Sequence, residues 1–195
     1  NWSEVIAVND FGDILGVSTT RYPPSPAEYF IYKNGVVEDL KLEVGGLFDP
    51  GGISNDGTVV GVTLKDNKIA PFYYRNGVVT YLKAPFVTSQ PAFNWNIVIS
   101  KKGLIVGHIR YLEDRDENGV VIRKSCAYIY IADTNSDIIT LVDLDLESIG
   151  GSLSFPMIIR GVSDAGDIII DESVVMNIFS KEYYYLSDSR FASEV

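Results

Sequence analysis

Apolar residues in this chain fall in short runs, alternating or continuous, broken at intervals by Gly, Asn, Asp and Pro. That pattern predicts β-strands joined by turns, and no convincing helical stretch interrupts it. One motif organises the runs. Val8-Asn9-Asp10-Phe11-Gly12-Asp13-Ile14-Leu15-Gly16 returns as Ile53-Ser54-Asn55-Asp56-Gly57-Thr58-Val59-Val60-Gly61. It returns again as Ile99-Ser100-Lys101-Lys102-Gly103-Leu104-Ile105-Val106-Gly107, and as Val162-Ser163-Asp164-Ala165-Gly166-Asp167-Ile168-Ile169-Ile170. Each copy predicts a strand, a tight turn in which Gly supplies a positive φ, and a second strand. Asn9 and its Ser equivalents are expected to cap the turn. The first three copies end on a second Gly, which Ile170 replaces.

The turn glycines Gly12, Gly57, Gly103 and Gly166 are spaced by 45, 46 and 63 residues, a period that points to propellers, arrays or solenoids. The first unit predicts strands at 3–8, 13–17, 27–33 and 36–41, with Asn34-Gly35 as a hairpin turn. Its Pro-rich stretch 18–26 reads as a loop, because Pro23, Pro24 and Pro26 cannot complete a ladder. The second unit predicts strands at 59–64, 69–75 and 78–83 around Asn76-Gly77, with 65–68 as a polar loop. The third is expanded, with strands at 104–112, 124–131 and 138–143 and a charged loop at 113–119. The fourth is degenerate, with strands at 158–162, 167–171, 174–180 and 182–187.

These strands make the chain all-β. A four-stranded antiparallel meander cannot bury both of its faces alone, so the units must stack. Radial stacking gives a β-propeller of about four blades in a single domain, at approximately 1–42, 43–84, 85–145 and 146–195. An open fragment of a larger propeller, or a β-repeat array, is the alternative.

The repeats resemble the HAF-repeat family of bacterial extracellular proteins. The likeness rests on the Val8–Gly16 motif and its copies, on the aromatic strands before Asn34-Gly35 and Asn76-Gly77, and on the Leu40 and Leu82 that follow. Gly45-Gly46 and Gly150-Gly151 in the connections add to it. The family's His-Ala-Phe at the start of the aromatic strand is absent; Glu28-Tyr29-Phe30, Ala70-Pro71-Phe72 and Cys126-Ala127-Tyr128 stand there. The resemblance implies a propeller-like fold and export, to the extracellular space, the cell surface or the periplasm. It implies no enzymatic reaction and so transfers no catalytic residues.

Composition is that of a folded globular domain, with 46% hydrophobic and 22% charged residues. A net charge of -10 argues against phosphate backbones and anionic lipid, so no nucleic acid partner is expected. No run of 18 apolar residues occurs, and no membrane insertion is expected. Cys126 is the only cysteine, which excludes an intrachain disulfide. As a nucleophile it would need His108, the only histidine, and a lone strand histidine reads as a packed or surface residue. The chain starts at Asn1 rather than Met, so removal of a signal peptide, or of a tag and flanking domain, is expected.

Loop lengths direct attention to one face. The short turns should gather at one end of the blades and the long connections at the other, where binding residues usually sit. The connections hold Phe48, Phe93, Trp95 and Phe155, and Tyr111 lies beside an outer loop. Such aromatics suit a sugar face or a partner's side chain. The competing reading is packing between blades: Phe48, Phe93 and Phe155 stand five, six and seven residues before their motif's first aliphatic, whereas Trp95 does not recur. Asp114, Asp116 and Asn118, followed by Gly119, form a candidate calcium loop. The further acid such a loop wants is absent at Ser125 and Ile122, and a solvated hairpin tip competes. No other cofactor is expected. The leading expectation is a non-catalytic module binding a protein or glycan. A carbohydrate-active enzyme with paired carboxylates near the axis is the second, and a structural unit of a larger ring the third.

Overall fold

The structure, a computed structural model, describes residues 2–19, 28–40, 48–65, 68–83, 91–115, 121–134, 138–142, 158–170 and 174–186. They form four antiparallel sheets, each a four-stranded meander contiguous in sequence. The first holds β1 (Trp2–Val8), β2 (Ile14–Thr19), β3 (Glu28–Lys33) and β4 (Val36–Asp39). The second holds β5 (Phe48–Ile53), β6 (Val59–Lys65), β7 (Lys68–Arg75) and β8 (Val78–Tyr81). The third holds β9 (Pro91–Ile99), β10 (Leu104–Arg115), β11 (Val121–Asp133) and β12 (Thr140–Val142). The fourth holds β13 (Ile159–Val162), β14 (Asp167–Ile170), β15 (Val174–Asn177) and β16 (Tyr183–Tyr185). The chain is all-β, built of blade-like repeats in a propeller-like arrangement.

The hairpins follow from local chemistry. Asn34 and Gly35 have φ of 51° and 81°, and Asn76 and Gly77 have 52° and 82°. Positive φ at both central positions makes the turn whose twist matches that of the flanking strands, and Asn followed by Gly adopts it at least cost.

Several strands run further than the sequence pattern suggests. β2 extends to Thr19, into the expected Pro-rich loop, and only residues 66–67 separate β6 from β7. Phe48 opens β5, and Phe93 and Trp95 stand inside β9 rather than in a connection before it. Pro91 begins β9, a position where a missing N–H costs no ladder bond. Glu113, Asp114 and Arg115, expected in a loop, lie in β10, where Glu113 pairs with Lys124 and Asp114 with Arg123. A polar sequence does not forbid this ladder, because pairing is between backbones. In the fourth sheet β15 stops at Asn177, before the expected 180.

Consecutive sheets bury their faces against one another. Leu15, Ile31 and Leu40 of the first pack on Ile53, Val59, Phe72 and Tyr74 of the second. Val60, Val62 and Leu82 pack on Ile97, Ile105, Tyr130, Ala132 and Ile139 of the third. Val98, Val106, Ile129 and Val142 pack on Ile159, Ile168, Ile170, Val174, Met176 and Ile178 of the fourth. Among the described residues no comparable packing joins the fourth sheet to the first. The first strands β1, β5, β9 and β13 run side by side in that order. Their approach is close: a Cβ on Gly51 would fall 1.8 Å from the carbonyl oxygen of Ile97.

The final motif residue is explained by its cross-strand partner. Gly16 pairs with Phe30, Gly61 with Phe72 and Gly107 with Tyr130. A Cβ on Gly16 or Gly107 would overlap that aromatic ring, at 2.4 Å and 2.2 Å. In the fourth copy the pair is Ile170 with Val174, both fully buried. The combined volume is shared differently between the partners, so the Ile is accommodated where the aromatic is gone.

Candidate functional site

The four motif turns gather at one end. Each is closed by its capping side chain, as expected. Asn9 Oδ1 accepts from the backbone N–H of Phe11 and Asp13 at 3.0 and 2.9 Å. Ser54 Oγ accepts from Thr58 N–H, Ser100 Oγ from Leu104 N–H, and Ser163 Oγ from Ala165 and Asp167 N–H. The next turn position forms a column of Asp10, Asn55, Lys101 and Asp164, one residue from each sheet. Asp10 N–H donates to Asn55 Oδ1, and Asn55 Nδ2 returns a bond to Asp10 Oδ2, both at 3.1 Å. Asn55 N–H donates to the Lys101 carbonyl at 2.9 Å. Lys101 Nζ reaches Asp10 Oδ1 at 2.7 Å, tying the third sheet to the first, and Lys102 N–H donates to Asp164 Oδ1 at 2.8 Å.

Hydrogen bonds from Lys101 and then Asn55 hold the Asp10 carboxyl below its ordinary range. Asp164 is lowered by the Ser100 hydroxyl and the Lys102 amide, and Asp167 by Asn177 and Ser163. Arg75 joins the same end, pairing with Asp56 at 3.0 Å and donating to Thr134 Oγ1. Desolvation pushes Asp56 up, but bonds from Ser54 and Thr58 outweigh it. Lys33 closes the edge on Asp13 at 3.2 Å. The turn end is thus a web in which the capping and column groups hold one another, although the buried Thr58 Oγ1 in the second turn has no hydrogen-bond partner among the described residues.

The connection end differs. Asp49, in β5 of the second sheet, has its carboxyl raised by burial. Tyr29 of the first sheet is raised by burial and then by the charge of Asp49. One register step from Asp49, Thr63 pairs with Phe48. Its Oγ1 is buried and has no hydrogen-bond partner among the described residues. The Asp49 carboxyl and the Tyr29 phenol therefore influence each other between the first two sheets, while Thr63, one register step away, points to the opposite face of the second sheet from Asp49. Lys65 Nζ lies 4.1 Å over the Tyr81 ring on the outer side of the same sheet.

The third sheet carries an irregularity at its innermost strand. In the other sheets a single extra residue (Ile6, Gly51 or Arg160) bulges two residues before the motif. In β9 the pairing holds as far as Ile97 with Gly107, then resumes at Phe93 with Ile109. Asn94, Trp95 and Asn96 thus face the single residue His108, a wider and displaced bulge of the kind that re-aims side chains. Asn96 uses both ends of its amide on β13, accepting from Ile159 N–H and donating to its carbonyl at 3.0 Å. No sequence signal singled out Asn96, although an Asn in an otherwise apolar strand start is the clue. His108 is buried, which is the packed alternative foreseen for it.

The aromatic candidates do not form one described cluster. Phe48 is in the second sheet, and Phe93, Trp95 and Tyr111 are in the third. Their side chains, and that of Asp114, lie outside the described residues, as do Phe155, Asp116 and Asn118 altogether. Among the described residues no group of three or more His, Cys, Asp or Glu could hold a metal ion, and no helix is long and apolar enough to cross a membrane. Comparison with protein-family models and with curated proteins returns no match.

Proposed function

We propose that the chain is a non-catalytic interaction module that recognises a glycan or a protein at its connection end. The observation that carries this reading is the contrast between the two ends. At the turn end the capping and column residues are bonded to each other. At the connection end the surface carboxyl of Asp49 and the half-buried phenol of Tyr29 are both raised by partial desolvation, which suits a ligand bearing hydroxyl or amide groups. The widened β9 bulge supports a role for Trp95, because it is the one departure from the repeat in the innermost strands. Membership of the HAF-repeat family, export from a bacterial cell and the calcium loop at Asp114 belong to the same proposal.

An immobilised oligosaccharide panel and a displayed peptide library probe both partner classes. Any binder found should weaken with Asp49→Asn, Tyr29→Phe or Trp95→Ala and be indifferent to Asp10→Asn at the turn end. The reverse pattern overturns the assignment.

A further inference from the structure

The exposed ends of the stack repeat the chemistry of its buried interfaces. In the second sheet the cross-strand row Ile53, Val59, Tyr74 and Val79 faces the first sheet and is covered by it. Ile53, Val59 and Tyr74 are 7%, 0% and 9% exposed. The corresponding row of the first sheet is Val8, Ile14, Tyr32 and Val37. The residue types are nearly the same, but Val8, Tyr32 and Val37 are 57%, 39% and 63% exposed.

The opposite face of the fourth sheet shows the complementary departure. Leu15, Val60 and Val106 occupy one motif position in the first three sheets, and each is fully buried against the following sheet. Ile169, at that position in the fourth, is 39% exposed. Leu40 and Leu82, which follow the last strands of their sheets, are 4% and 5% exposed, whereas Leu186 is 48%. Among the described residues the stack therefore carries an unpartnered leading face at one end and an unpartnered trailing face at the other. Each matches the half of an interface that the chain makes three times internally.

We propose that these faces associate between two copies of the chain. The leading face of the first sheet packs on the trailing face of the fourth sheet of a second copy. The proposed contact continues the established interfaces: the row that receives Leu15, Ile31 and Leu40 in the second sheet is reproduced in the first, and what fits it is another trailing face of this repeat. The contact is head to tail, so two different patches meet, and a pair of chains that closes buries all four faces. Each copy carries a charge of -10, so repulsion opposes association and added salt strengthens it.

Light scattering on the purified chain tests this, with Val37→Asp blocking the leading face and Leu186→Asp the trailing face. Both positions are exposed in the single chain, so neither substitution disturbs its core. The parent chain should give at least twice the 21.5 kDa of one copy, more completely at high salt. Each variant alone should associate at least about tenfold more weakly. An equimolar mixture of the two should recover a mixed pair, since one supplies an intact trailing face and the other an intact leading face. That recovery also shows that both variants fold. A parent that is monomeric at every salt concentration overturns the proposal. So does a Leu186→Asp chain that still self-associates, which is leading face on leading face, or a mixture that forms no pair. These outcomes are independent of ligand binding at the connection end.

Discussion

Replacing Gly107 with Ala tests the packing rule that links the motif's last residue to its cross-strand partner. The new Cβ would sit 2.2 Å from Cζ and the hydroxyl of Tyr130, which is fully buried between the second and third sheets and has no room to retreat. Overpacking of this kind costs about 2 kcal/mol. Tyr130→Val removes the ring and leaves a void, at about 3 kcal/mol. If the sites were independent the double variant would lose about 5 kcal/mol, a large share of the roughly 5–15 kcal/mol that stabilises a domain. The fourth sheet argues otherwise, since Ile170 and Val174 coexist there at the same two positions. In the double variant the Ala methyl enters space that the ring vacated, so the loss should be about 3 kcal/mol, with a coupling of about 2 kcal/mol. Urea unfolding followed by circular dichroism, on parent, both singles and the double, gives the cycle. Additivity to within about 0.5 kcal/mol would refute the volume-sharing explanation.

Two further outcomes follow from the same structure. Asn96→Ala removes both bonds to Ile159 and leaves two backbone groups at a strand edge unsatisfied. It should cost about 1–3 kcal/mol and speed amide hydrogen exchange in 159–178 before the first two sheets, and uniform acceleration would count against a local clamp. The lowered carboxyls of Asp10, Asp164 and Asp167 stabilise the fold above their unfolded value, ordinarily 3.8, and this is lost as pH falls through their folded values. Urea midpoints should therefore be flat near neutrality and drop in acid below that value. An Asp10→Asn, Asp164→Asn, Asp167→Asn chain should drop less steeply, and an unchanged acid slope would contradict the assignment.

The repeat was legible in the sequence because its signals are local. Asn34-Gly35, Asn76-Gly77 and the four motif turns depend on residues within a few positions of one another, and the side-chain caps at Asn9, Ser54, Ser100 and Ser163 were foreseeable for the same reason. Strand ends were less legible. Glu113, Asp114 and Arg115 carry loop-like polarity, yet they pair, because the long β10–β11 ladder needs backbone partners and no apolar face. The β9 bulge leaves no local mark, as it arises from how β9 is spaced against β10 and β13. The Asp10, Asn55, Lys101 and Asp164 column could have been read by aligning the repeats and asking which position alternates in charge. The burial of Thr63 could not, because it depends on which sheet covers the second one.

The central claim is that four sheets stack in chain order with the two outermost faces not packed on each other. It is tested most directly by spin labels at Val37→Cys and Ile169→Cys, with Cys126→Ser to remove the native thiol. The doubly labelled chain is diluted in excess unlabelled chain so that only distances within one molecule are read. Closure of the first sheet on the fourth would bring these faces to sheet-packing distance, about 10 Å, and strongly broaden the frozen-solution spectrum. The open stack predicts a spectrum equal to the sum of the two singly labelled chains, and strong dipolar broadening would contradict it.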